Sequence, residues 1–171
     1  GTVSHNEPMG KQMDGEKLTH LDGEGRLKMV DVGDKEKTER LARVRGEIRM
    51  RPETVALIEQ NRVAKGNVLE AARLAGIMAA KRTGELIPLC HPLNITAVDI
   101  EFTVGQDRVE VEAAARIDDR TGVEMEALTA ASLALLTIYD MCKGVDRGMV
   151  ISELRLMEKR GGRSGVYQRG E

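Results

Sequence analysis

The chain has 171 residues, which suits one domain with a real core better than two. Charged residues make up 32% and nearly cancel to a net charge of −2, which argues against broad electrostatic binding to nucleic acid. With one Phe, two Tyr and no Trp, the core must come from Ala, Val, Ile, Leu and Met, and the chain lacks aromatic platforms for stacking single-stranded bases.

The N-terminal stretch Gly1 to Lys17 is polar and reads as a disordered leader without the apolar core of a signal peptide. From Thr38 to Met50, apolar residues fall mostly on even positions (Ala42, Val44, Ile48) and charges mostly on odd ones, the period of a half-buried strand. Pro52 suits a first helical position ahead of Glu53 to Arg62, and Asn67 can cap a second helix with Val68, Leu69, Ala72, Ala75 and Met78 on one face. Two prolines break regular structure in GELIPLCHP, residues 84–92. Val98 to Val104 and Val109 to Ile117 alternate and are joined by Gly105-Gln106-Asp107, which predicts a β-hairpin. An Ala- and Leu-rich helix is expected from Val123 to Lys143, a last strand from Val150 to Met157, and a glycine-rich loop at GGRSG.

This order predicts an α+β fold on the ferredoxin-like β-α-β-β-α-β plan: a four-stranded antiparallel sheet with helices on one face. The Val123–Lys143 helix is apolar around most of its circumference, so oligomerisation through it and the open sheet face is expected. No apolar run approaches a membrane span, and no membrane partner is expected. Cys90 and Cys142 form no CxxC pair, which suits a reducing cytoplasm.

Four constellations could carry chemistry. His91, in Leu89-Cys90-His91-Pro92, is held in a Pro-flanked loop and can serve as acid, base or phosphate partner; the plainer reading is a surface-loop histidine. Glu124 and Glu126 flank Met125 at a helix start, where the dipole favours one carboxylate. Two such residues point to different sides, so one can cap while the other meets the donor-rich edge of a guanine or pterin. Asp140 and Lys143 share a helix face; they are either a solvated pair or, against the apolar turns before them, a partly buried acid/base pair with both pKa values perturbed. Lys65-Gly66 and the loop around Arg163 place glycines beside cations, as phosphate sites do, although each alone is ordinary turn chemistry. No metal-ligand spacing is present.

The motifs IPLCHPL, GVEMEALT and YDMCK, with LTHLDGEGRLKMVDVGDKEKT before them and GGRSG after, resemble the cyclic pyranopterin monophosphate synthase family of molybdenum-cofactor biosynthesis from Leu18 to Gly165. The resemblance implies one synthase domain over 18–165, a flexible tail over 166–171, and a lyase. That lyase converts 3′,8-cyclo-7,8-dihydro-GTP to cyclic pyranopterin monophosphate and pyrophosphate. It implies a homohexamer, a trimer of dimers, with sites at subunit interfaces. It implies Asp140 as acid/base, Lys143 and Lys65 as its partners, and substrate contacts from Leu89, Cys90, His91, Glu124, Met125 and Glu126. The triphosphate needs cations, for which Arg163 and Arg40 are candidates; Arg163 stands where relatives often have Lys, and an arginine keeps the charge role but cannot act as a base. No cofactor is required by this reading, beyond magnesium that can ride with the triphosphate. A nucleotide-binding regulator on the same plan has little use for the Asp140–Lys143 pair, and an RNA-binding module needs more strand aromatics than Phe102. A purely structural oligomer leaves the histidine loop and the glutamate pair unexplained.

Overall fold

A computed structural model describes residues 25–34 and 36–171. The leader expected over 1–17 lies outside them. The elements in chain order are β1 (Thr38–Arg49), α1 (Pro52–Glu59), α2 (Val68–Lys81), the single turn α3 (Thr83–Leu86), β2 (Ala97–Val104), β3 (Arg108–Asp119), α4 (Glu124–Cys142), β4 (Val150–Arg160) and β5 (Tyr167–Gln168). The sheet order is β2-β3-β1-β4-β5 and every pair is antiparallel.

The fold is thus α+β with an open antiparallel sheet and helices on one face. The sheet has five strands, not the expected four. Tyr167 and Gln168 pair with Lys159 and Glu158, and Glu171 grips Arg155 through two contacts of 2.7 Å, so residues of the expected tail line the free edge of β4. Unpaired edge groups attract such a strand whatever its apolar pattern, and a two-residue strand leaves no period to read.

Local signals set the helix starts. Pro52 opens α1, and the Asn67 side chain accepts from the Glu70 amide at 3.2 Å at the head of α2. Inward residues of β1 and β3, among them Val44, Ile48, Val109 and Val111, pack with Ile100 under Leu135 and Ile138 of α4. Burying each such side chain contributes about 1.5–3 kcal/mol. Helix α2 lies close against α4 at Gly76, where a Cβ would sit 2.3 Å from Ile100 Cδ1 and 3.0 Å from the Ala130 carbonyl oxygen.

The outward residues form a charge lattice instead. Arg43 pairs with Glu112 at 3.3 Å and Glu158 at 3.0 Å, and Arg108 with Glu47 at 3.2 Å. Helix α4 reaches the length and apolar composition of a membrane span, contrary to the sequence reading, but half of it is buried on this sheet and α2 as a core helix. Leu136, on its outer side, stays half exposed.

Candidate active site

The expected site residues gather at the two ends of α4, which at 1.5 Å per residue over 19 residues is about 28 Å long. At its N-terminal end two clefts adjoin, of about 780 and 270 Å³, and Glu124 lines both. The larger holds Arg40, Lys159, Arg163 and Thr38; the smaller holds Leu89, Cys90, His91, Met125 and Glu126. Eight of the expected residues therefore meet at one end.

Val123 at the N-cap position offers no side-chain cap bond to α4, into whose first turn both glutamates fall. They diverge, as residues two apart must. Glu124 pairs with Lys159 Nζ at 3.0 Å. Glu126 turns inward and is only 3% exposed. Burial drives its pKa up against a backbone hydrogen bond, and the Glu124 charge adds to the rise, to about 7. Burial, and then the Glu126 charge, also push the Cys90 thiol up.

Arg40 is buried on β1 and donates from Nη2 to the Arg120 carbonyl at 3.1 Å. Its Nε has no hydrogen-bond partner among the described residues, nor does the Thr38 hydroxyl oxygen. Both residues line the larger cleft, and buried polar atoms of this kind ordinarily find partners. Gly161 and Gly162, at φ +96° and +77°, let the loop carrying Arg163 close over Arg40; a Cβ on Gly161 would lie 2.2 Å from the Glu39 carbonyl oxygen.

At the other end of α4, Asp140 Oδ1 meets Lys143 Nζ at 2.9 Å and Oδ2 meets Lys65 Nζ at 3.1 Å. Lys65 also donates to the Asp140 carbonyl oxygen at 3.2 Å. The trio rims a cleft of about 710 Å³ walled by Leu57, Val63, Tyr139 and Met141. The expectation of partial burial fails here: all three side chains are about half exposed. Hydrogen bonds from Lys143 and then Lys65, with their charges, hold the Asp140 carboxyl below its ordinary range. In the turns before Asp140, Ala134, Leu135 and Ile138 are buried in the core, whereas Leu136 and Asp140 are exposed.

Lys159 and Thr38 were missed from sequence. The alternation predicts a strand ending at Met157, with Lys159 beyond it, yet Lys159 pairs with Ala42 and so shares the helix-covered face. Thr38 marks only the start of β1 in the sequence pattern, and nothing in that pattern places it at the cleft. Among the described residues no cluster of three or more His, Cys, Asp or Glu could hold a metal ion, and Cys90 and Cys142 are free.

The MoaC family model matches residues 29–162. Among curated relatives, a protein of Novosphingobium aromaticivorans is 57% identical over 154 residues, covering 90% of this chain and 98% of its own length. One of Desulforapulum autotrophicum is 58% identical over 152 residues, covering 88% and 93%. One of Pelotomaculum thermopropionicum is 58% identical over 154 residues, covering 89% and 91%. All three are named cyclic pyranopterin monophosphate synthase. On this extent of match, the chain belongs to the MoaC family.

Proposed function

We propose that the chain is a cyclic pyranopterin monophosphate synthase, a lyase of molybdenum-cofactor biosynthesis, and that each of its sites is shared between two copies. The observation that carries the second half is the division of the site residues between the two ends of α4. A nucleotide-sized substrate does not span a helix of about 28 Å. A second copy, bringing the end with Asp140 to the end with Glu126, makes one complete site. The oligomer implied by the resemblance, a trimer of dimers, supplies such a meeting. We read the first four strands as the ferredoxin-like plan, with β5 added at its edge.

The substrate, 3′,8-cyclo-7,8-dihydro-GTP, brings a triphosphate and a purine-derived ring. Arg40, Arg163 and Lys159 line one cleft and meet the phosphates. The adjoining cleft takes the ring. There an ionised Glu124 or Glu126 accepts from ring NH and amino groups, and His91, Leu89, Cys90 and Met125 enclose the ring. Opening the old ring, closing the pterin and expelling pyrophosphate all move protons. Asp140, ionised at neutral pH, receives a proton that Lys143 or Lys65 can pass on, and their charges steady the departing phosphates. Magnesium, where it accompanies the triphosphate, enters with the substrate. Two unpaired cysteines suit a cytoplasmic setting.

Incubating the purified chain with the cyclo-dihydro-GTP substrate tests the reaction. Stoichiometric cyclic pyranopterin monophosphate and pyrophosphate are expected. Intact substrate after prolonged incubation with folded protein would overturn the reading.

A further inference from the structure

We infer that Asp146 is a positioning residue for the Lys65–Asp140–Lys143 trio, a buried clamp that fixes α1 against the turn leaving α4. The inference rests on the reaction proposed above. Asp146 does not line the cleft beside the trio, so any effect it has on chemistry passes through its neighbours.

Helix α1 has no cap of its own, because Arg51 at the N-cap position makes no side-chain cap bond. Asp146 supplies one from across the chain. Its Oδ2 accepts from the Arg51 amide at 2.9 Å and from the Thr54 hydroxyl at 2.9 Å. The carboxylate is 6% exposed and Thr54 only 1%. Arg51 Nε stands 3.7 Å from the same oxygen, and its Nη2 donates to the Val145 carbonyl. Burial alone would raise the Asp146 pKa, but the Arg51 amide, Thr54, the Arg51 charge and the Gly148 amide outweigh it and hold the carboxyl low.

Both partners of this clamp are tied to the trio. On one side, the amides of Val145 and Asp146 donate to the Cys142 carbonyl, so Asp146 travels with the end of α4. On the other, the turn after α1 passes through Asn61 at φ 53°, and the amides of Asn61 and Arg62 bond back to Ile58 and Leu57. That turn leads to Lys65, whose ammonium meets Asp140. The result is a closed ring around the cleft, fastened on one side by Lys65 and Asp140 and on the other by Asp146 with Arg51. The Lys65–Asp140 fastening is half exposed, and such pairs contribute little to holding a geometry. The Asp146 fastening is buried and fully hydrogen-bonded, and stripping one side of such a contact leaves unpaired buried groups. Asp146 therefore decides where Lys65 sits relative to Asp140.

The test uses Asp146→Ala, Asp146→Asn and Thr54→Val, each assayed well below its own Tm. The charged groups facing Asp140 are Lys143 from α4 and Lys65 from the turn before α2, with Arg62 and Arg147 further along the cleft. Loss of the clamp lets Lys65 drift, and a misplacement of about 1 Å costs roughly 10²-fold in kcat. The expected result is that loss in Asp146→Ala, smaller losses in the other two, and KM little changed. The Asp140 carboxyl, followed by carbon NMR and assigned by its absence in Asp140→Asn, should titrate at higher pH in every variant than in the parent. Variants that lose only Tm, with parental kcat and parental Asp140 titration, would overturn the clamp. If Asp146→Ala does not fold, the other two variants decide in the same way. If the parent itself turns nothing over, the reaction reading fails, and the Asp140 titration alone still decides the clamp.

Discussion

The two ends of α4 carry carboxylates of the same chemistry and opposite electrostatics. Glu126, at the start, is buried beside the cleft it shares with His91, and its pKa rises to about 7. Asp140, in the last turn, stands in solvent between two ammonium groups and its pKa falls. One end therefore holds a group that can be neutral or charged near physiological pH, and the other a fixed anion with cations beside it. Separating two carboxylates by environment is how one site performs both acid and base chemistry. Here that separation runs along a helix of about 28 Å, and the shared site proposed above is what would bring the two groups together.

Removing the ionisable group at the exposed end should have the largest effect. Asp140→Asn should lower single-turnover rates by roughly 10²–10⁴-fold while the melting curve stays in place. A variant with parental turnover would leave the trio as a surface ion pair. Lys143→Ala should follow, with a loss toward the lower part of that range and little change in Tm, because exposed pairs of this kind stabilise weakly. Early melting combined with normal turnover of the folded fraction would reverse that assignment.

At the buried end the sharper signature is in stability against pH. Glu126 keeps its proton to higher pH in the folded chain than in the unfolded one. The native state therefore binds more protons between its ordinary value of 4.5 and about 7, so stability should fall as pH rises through that window. Denaturant titrations of Glu126→Gln should show this slope removed; an identical slope in parent and variant would contradict the burial argument. Arg163→Ala should have the smallest effect. Losing one charged contact to phosphate, worth about 1.5–3 kcal/mol, should raise KM by roughly 10- to 100-fold and leave kcat nearly unchanged. A fall in kcat with constant KM would move Arg163 from binding to chemistry.

Much of the architecture was legible in the sequence because it obeys a period or a local rule. The alternation around Val44 and Ile48, the hairpin at Gly105–Asp107, the Asn67 cap and the apolar α4 all reappear within a residue or a few. Strand β4 was harder to read. It slips register against β1 twice, at Met157 between Arg43 and Val44 and again between Arg45 and Glu47, where Glu153 takes φ 58°, so its side chains change face and the alternation blurs. That blurring hid Lys159. The burial of Glu126 and the exposure of Asp140 were not legible, because each depends on which segments pack over a helix end. The chain around Asp140 is apolar, yet the carboxylate itself stands at the exposed rim of a cleft that Tyr139 and Met141 wall. The motifs name the residues at both ends of α4, but their distance along the helix appears only in three dimensions.

The central claim is that one end of α4 from each of two copies makes one site. The most direct measurement mixes Asp140→Asn with Glu126→Gln, each first shown to turn over far below the parent when alone, under conditions that let subunits exchange. Shared sites predict that some mixed pairs join an intact Asp140 to an intact Glu126, so turnover should return on mixing and scale with the fraction of exchanged subunits. Exchange demonstrated by mass spectrometry with no return of turnover would contradict the shared site.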